Sequence, residues 1–178
     1  MIPRLPRSKF GVILADPPWK YGTWRGTRGT AEKYYPTMTP EQIAAIPIVT
    51  IAEDNCALFL WVTSPFLLEV VPIIKLWGFK YKTIAFWWEK MSKTGKKPHF
   101  GMGHWTRPDL EICLLATRGR PIRTSKNTRQ RIIAPIREHS RKPDEQYECI
   151  ENLVPGPYIE LFARGPRKGW KTWGKESK

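Results

Sequence analysis

Cysteine is scarce in this 178-residue chain: Cys56, Cys113 and Cys149 lie far apart, odd in number and without Cys-x-x-Cys spacing. Neither a disulfide framework nor, with no His-x-x-x-His pair, a zinc site has a starting point. Three buried thiols and a metal-free protein are therefore expected. Long apolar runs are missing too, because Thr63, Ser64, Pro65, Glu69 and Lys75 break the longest candidates below the roughly 18–20 residues that cross a bilayer. No membrane partner is expected. The basic N-terminus leads into a short apolar stretch that closes at Asp16, which is a strand and not a signal peptide, so a cytoplasmic location is expected. Gly-x-Gly-x-x-Gly and Gly-x-x-x-x-Gly-Lys-Ser/Thr are both absent, which removes the usual marks of dinucleotide and nucleoside-triphosphate enzymes.

Acid is the scarcest class relative to its opposite: 16 Asp and Glu face 30 Lys and Arg, a formal charge of +14. Such an excess points to a polyanionic partner, nucleic acid first. It is also uneven. Residues 118–142 hold nine Lys and Arg (Arg118, Arg120, Arg123, Lys126, Arg129, Arg131, Arg137, Arg141 and Lys142) against Glu138 alone. The stretch 90–107 adds Lys90, Lys93, Lys96 and Lys97 with two rings, Phe100 and Trp105. Cations interleaved with aromatics suit phosphate neutralisation plus base stacking, so Lys90, Trp105, Arg123, Lys126 and Arg129 are candidate substrate contacts.

The length and an apolar content of 41% predict one domain over 1–178, with basic loops at about 89–107 and 118–131 and a basic tail at about 165–178. Phe10 to Ala15 reads as a first strand, stopped by Asp16-Pro17-Pro18 because two prolines cannot continue a ladder. Residues 17–38 read as a long functional loop. Thr39, Pro40 and Glu41 give an N-cap, a proline at N1 and a first-turn acid, opening a short helix that Pro47 ends. Further strands are predicted at 57–62, 79–88, 111–117, 132–134 and 158–163. Helices are predicted after Ser64-Pro65, with Leu67, Leu68, Val71 and Ile74 inward and Gly78 at the end, and from Pro143 to Leu153. Strands alternating with helices imply an α/β fold around a largely parallel sheet, with ligands beyond the carboxyl ends of the strands.

Asp16-Pro17-Pro18-Trp19 falls at such an end. A carboxylate, a turn that fixes backbone carbonyls and a ring make a pocket for a flat base bearing an amino group, with Asp16 and the Pro17 carbonyl accepting the amine's two protons. This motif resembles that of S-adenosylmethionine-dependent amino-group methyltransferases. In particular the chain is similar to the family of the mRNA (N6-adenosine)-methyltransferase catalytic subunit, which also holds compact bacterial and phage DNA adenine methyltransferases. Tyr35-Pro36-Thr37-Met38, Leu58 to Thr63, Gly101-x-Gly103-His104-Trp105-Thr106-Arg107 with Glu111, Ser140 to Glu145 and Glu160 to Arg164 agree in order.

The resemblance implies a Rossmann-like methyltransferase fold in permuted order, catalytic strand first and cofactor strand last. It implies Asp16, Pro17, Pro18 and Trp19 as catalytic, and S-adenosylmethionine as cofactor held by Ser140, Lys142, Phe162, Arg164 and Gly174. Tyr35, Trp61 and Glu111 match positions around the pocket, with Trp61 equally readable as core and Glu111 as a strand-end ion pair. Where the family often carries Asn after its last glycine this chain has Lys175, so Glu176 becomes the candidate acceptor. The implied activity is methyl transfer to adenine N6 in nucleic acid, DNA ahead of RNA because no partner-binding domain fits in this length. A homodimer is compatible with it, and a catalytically silent nucleic-acid-binding subunit is the alternative.

Overall fold

Phe10–Ala15 forms β1, six buried residues that lie near the middle of a seven-stranded sheet. The computed structural model describes residues 3–20, 36–101, 103, 105–138 and 141–174. Its other elements in chain order are α1 (Pro40–Ala44), β2 (Ala52–Val62), α2 (Val70–Leu76), β3 (Lys80–Met91), β4 (Leu110–Arg118), β5 (Arg131–Pro135), α3 (Glu145–Leu153), β6 (Tyr158–Leu161) and β7 (Trp170–Trp173). The sheet order is β5-β3-β4-β2-β1-β6-β7. Strand β1 runs parallel to β2 and β6, β6 to β7 and β3 to β5, while β4 runs antiparallel between β2 and β3.

Period-two alternation divides the core into two layers. Ile13, Ala15, Leu58, Leu60 and Val62 pack with Ile43 of α1 and Val70, Ile73 and Ile74 of α2. Val12, Leu14, Ala57, Phe59 and Trp61 pack on the other face with Tyr147 and Ile150 of α3. Helices therefore cover both faces of the sheet, as a mostly parallel sheet requires.

The first helix starts where its cap residues predict. Thr39 Oγ1 accepts the Gln42 N–H, and Gln42 Oε1 accepts the Thr39 N–H, a reciprocal pair that satisfies two of the helix's unpaired donors. The second helix differs from its prediction. Ser64–Phe66 is a 3-10 turn and the regular helix begins only at Val70, so Leu68 is exposed and the buried face is Val70, Ile73 and Ile74. The extra turn offsets the phase of the apolar stripe. Gly78, at φ +83°, ends that segment as expected. Strand β2 begins five residues earlier than its apolar run, because Ala52 already pairs with Phe10, and Glu53, Asp54 and Asn55 lie in the register shift before the ladder resumes at Ala57. The last predicted strand stops at Leu161, and β7 is an addition that its four residues did not reveal. Cys56 and Cys113 are buried, but Cys149 is only half-buried, on the flank of α3.

Two glycines separate backbone strain from crowding. Gly119 and Gly95 both have left-handed φ, +59° and +71°. A Cβ on Gly119 would overlap the Asp54 carbonyl oxygen and the Asn55 side chain, whereas one on Gly95 meets nothing within 4 Å. Gly95→Ala should therefore cost about 1 kcal/mol, from the backbone alone. Gly119→Ala should cost more, since the β2–β4 rim must also shift. Urea unfolding of the two variants checks the order.

Candidate active site

Side-chain parity builds the site. Asp16 continues the even-numbered face of β1, on which Val12 and Leu14 meet α3. The same face carries Trp61 at the end of β2, Phe86, Trp88 and then Lys90 on β3, Glu111 and Cys113 on β4, and Glu160 on β6. These positions lie at the carboxyl ends of the parallel strands, and Glu111 joins them because β4 enters from that edge in the opposite direction.

Lys142, just before α3, closes the group. Its Nζ lies 2.8 Å from Asp16 Oδ2 and 3.1 Å from Glu111 Oε2, and Lys90 Nζ lies 2.6 Å from Glu111 Oε1. The result is a linear chain of alternating charge, Asp16–Lys142–Glu111–Lys90. Its ammonium groups also sit 5.5 Å from ring centroids, Lys142 over Trp61 and Lys90 over Trp88. Arg137 holds the backbone of Lys142 in place: it donates to the Lys142 carbonyl at 2.8 Å and pairs with Asp144 at 2.6 Å. Trp61 is anchored from below, its Nε1 donating to the buried Gln146 at 2.7 Å.

The electrostatics follow from burial and pairing. Burial opposes ionisation of Glu111, yet Lys142 and Lys90 outweigh it and hold the carboxyl at about 2. Burial likewise opposes the charge on Lys142, and the two flanking carboxylates overcome that and raise its pKa. Asp16 goes the other way: burial lifts its carboxyl above the usual range, against the pull of Lys142 and Arg164. Asp16 is thus the least firmly ionised member of the chain. Next to it, Glu160 is pushed up to about 7 by burial, with Asp16's charge adding to the effect; the hydrogen bond from the Tyr147 hydroxyl at 3.0 Å and the Arg167 charge oppose it. Burial and the Asp16 charge raise the Cys113 thiol, which keeps it protonated and unreactive.

The turn after Asp16 is tightly bonded. The Pro17 carbonyl accepts the Trp19 N–H at 2.9 Å and the Pro18 carbonyl accepts the Met38 N–H at 2.7 Å. Trp19 is buried, donates from Nε1 to the Trp61 carbonyl at 3.2 Å and stacks on Phe66 with ring centroids 5.1 Å apart. Among the described residues the Pro17 oxygen accepts only this one backbone hydrogen bond, which leaves a lone pair for a ligand.

At the neighbouring strand ends, Phe162 has a left-handed φ of +62°. Gly174 lies so close that a Cβ there would come within 2.8 Å of the Ala163 carbonyl oxygen. Only glycine allows this approach of the segments after β6 and β7. The Thr63 hydroxyl, buried just past the end of β2, has no hydrogen-bond partner among the described residues.

The structure brings together Asp16, Pro17, Pro18, Trp19, Trp61, Lys90, Glu111 and Lys142, and places Phe162, Arg164 and Gly174 at the adjoining strand ends. Trp61 is core, with the Lys142 ammonium over its ring. Lys90 and Glu111 are bonded to one another within the charge chain. Arg123, Lys126 and Arg129 do not join them. Strand β4 ends beside Cys56, at the amino edge of β2; Arg120 bonds Asn55 there, and Thr124 bonds Asn152 and Leu153 at the far end of α3. The antiparallel strand delivers the 118–131 loop to the opposite edge of the sheet. Tyr35, Ser140, Lys175 and Glu176 lie outside the described residues. Sequence reasoning missed Thr63, Arg137, Gln146 and the Tyr147–Glu160 pair. Of these, only Gln146, a polar residue among the apolar positions of α3, left a signal in the periodicity.

Comparison with known proteins points the same way. The MT-A70 family profile matches residues 10–176. The Type II methyltransferase M.MunI of Mycoplasma sp is 33% identical over 196 aligned positions, covering 99% of this chain and 81% of that protein. The N(6)-adenosine-methyltransferase catalytic subunit METTL3 of Homo sapiens is 32% identical over 178 positions, 95% of this chain but 28% of its own length. The probable N(6)-adenosine-methyltransferase MT-A70-like protein of Oryza sativa subsp. japonica is 31% identical over 177, with 23% of its length covered. The chain thus spans most of the first relative and about a quarter of the other two.

Two carboxylates give opposite pH signatures. Glu111 titrates at about 2 when folded against 4.5 ordinarily, so its contribution, about 3 kcal/mol, is present above pH 4.5 and lost as pH falls toward 2. Glu160 titrates at about 7 when folded, so the native state binds its proton more tightly and stability declines as pH rises from about 4.5 to 7. Glu160→Gln should remove that decline, whereas Glu111→Gln should destabilise by about 3–5 kcal/mol at neutral pH by leaving two ammonium groups short of a partner. Denaturant unfolding across pH 3–8 separates the two.

Proposed function

The chain belongs to the MT-A70 family and is a methyltransferase, and from that premise we propose that it transfers a methyl group from S-adenosylmethionine to the N6 amine of adenine in DNA. The observation that carries the reading is the placement of Asp16-Pro17-Pro18-Trp19 at the end of β1, with Asp16 bonded to Lys142 and the Pro17 carbonyl fixed by Trp19. DNA is preferred to RNA because the relatives named for adenosine share only about a quarter of their length with this chain, against 81% for M.MunI.

The residues at the strand ends fit the cofactor by their chemistry. Lys142 has three N–H donors, two of them used by Asp16 and Glu111, and the third suits the carboxylate of the cofactor's methionine. Phe162, in its left-handed conformation, and Gly174, with its close approach, shape the wall beside Arg164, where the ribose and adenine would rest. In this reading β6 is the cofactor strand, followed in the chain by β7 alone among the described strands. Thr63, whose buried hydroxyl has no partner among the described residues, lies just past the end of β2. When bound, S-adenosylmethionine supplies a methyl group on a sulfonium sulfur.

The chain's own groups do the rest. Asp16 Oδ1 and the Pro17 carbonyl accept the two protons of the adenine amine, which draws the nitrogen lone pair out of conjugation with the ring and leaves it available to the methyl carbon. Bound S-adenosylmethionine would supply the methyl group as its carbon–sulfur bond breaks and leaves a neutral thioether, and the nitrogen that gains the carbon would shed one proton toward Asp16, whose carboxyl burial has already made more basic. Trp19, buried against Phe66, fixes the turn that presents the Pro17 carbonyl. Lys142 keeps Asp16 ionised and pointed, and Glu111 with Lys90 keeps Lys142 in position.

Incubation with labelled S-adenosylmethionine and matched DNA and RNA oligonucleotides, followed by nucleoside mass spectrometry, tests the assignment. Methylated deoxyadenosine is expected; methylated adenosine alone would move the substrate to RNA, and no product on either would remove the activity. Asp16→Asn should lower single-turnover rates by orders of magnitude while still binding cofactor in calorimetry. Lys142→Ala and Arg164→Ala should each weaken cofactor binding about tenfold to a hundredfold. The raised Asp16 carboxyl protonates earlier as pH falls, so kcat should drop on acidification at a pH above the ordinary aspartate range.

A further inference from the structure

The connection from β3 to β4, Ser92 to Asp109, is far longer than the roughly 2–5 residues that join antiparallel neighbours. It leaves and re-enters the sheet at the edge that holds Asp16. Its backbone is bonded into a finger: His99 N–H donates to the Lys90 carbonyl at 2.8 Å, Ser92 N–H to the Lys97 carbonyl at 2.7 Å, and Gly101 N–H to the Pro108 carbonyl at 2.8 Å. Gly103 is pressed against the Thr106 carbonyl, leaving no room for a Cβ. At the tip Trp105 is 100% exposed and Phe100 61% exposed. Six of the eight described tryptophans are buried, so this indole stands apart from the molecule's ordinary use of the residue. Lys93, Lys96, Lys97 and Arg107 share the finger. At its root, Lys90 donates its backbone N–H to the Asp109 carbonyl and its ammonium to the charge chain that ends on Asp16.

An amine within a base pair cannot reach a pocket at the end of a strand unless the nucleotide leaves the stack, and the gap it leaves is apolar on both faces. An exposed indole on a cationic arm, rooted on β3 at the same edge of the sheet as Asp16 and joined to it through Glu111 and Lys142, meets that need. The geometry points to Trp105 as a wedge that stacks into duplex DNA at the site of the extruded adenine, with the flanking lysines on the phosphates. This rests on the DNA reading above.

The test uses two substrates built around one adenine that the wild-type protein marks in unmethylated genomic DNA, one duplex and one single-stranded. Trp105→Ala should lower the duplex-to-single-strand ratio of kcat/KM about tenfold, and Trp105→Phe should restore part of it. With 2-aminopurine in place of the target adenine in the duplex, the wild type should raise fluorescence on binding and Trp105→Ala should not. A wild type active on both DNAs, with the ratio unchanged in Trp105→Ala, overturns the wedge alone. A wild type inert on both overturns the DNA reading and the wedge with it. Thermal unfolding should match between variant and wild type, because an exposed ring contributes nothing to the core.

Discussion

Everything at the strand ends depends on one ammonium group placed between two carboxylates. Lys142 lies in a largely buried position where an unpaired charge would be untenable, and it is held there because Asp16 and Glu111 reach it from β1 and β4. Those two strands are not neighbours, since β2 lies between them, so the ammonium spans the width of a strand that contributes only the Trp61 ring beneath it. No pair of these groups is tolerable alone. Four elements must reach their places together, which couples the geometry around Asp16 to the packing of α3, β3 and β4.

The placement of α3 is correspondingly over-determined. Arg137 ties Asp144 to the Lys142 carbonyl, Gln146 receives the Trp61 indole, and Tyr147 bonds Glu160 while Arg167 lies 3.5 Å from its ring. These contacts turn the start of a nine-residue helix into a fixed platform. They also explain why a lysine is acceptable close to the positive end of a helix dipole: its charge is answered by two strand carboxylates.

Much of this was legible in the chain. The limits of β1, the capping of α1, the stop at Gly78 and the span of α3 follow from proline, glycine and cap residues whose effects are local, and local effects can be read from a single sequence. The motif at Asp16 was legible for the same reason. Strand direction was not, because a short apolar run such as that of β4 carries no mark of its polarity. That one fact hid the course of the basic stretch: Arg123, Lys126 and Arg129, read as phosphate contacts, follow the end of β4 on a loop that passes Asn55 and the far end of α3. It also left Glu111 between two roles until its partners were known. The α2 stripe slipped because a 3-10 turn and an α-helix share proline and polar start signals.

The sheet order carries a consequence for biogenesis. Strand β1 is made before the other described strands, and one of its two ladder edges belongs to β6, made long after it. At the roughly 5–20 residues per second of synthesis, that edge waits about 7–30 s for its partner. Over that interval a fully apolar strand bonds β2 on one side and presents unpaired amides on the other. The nascent chain therefore emerges with its central strand half-made, and holding that edge soluble until Tyr158–Leu161 leaves the ribosome falls to whatever escorts the polypeptide at the exit tunnel.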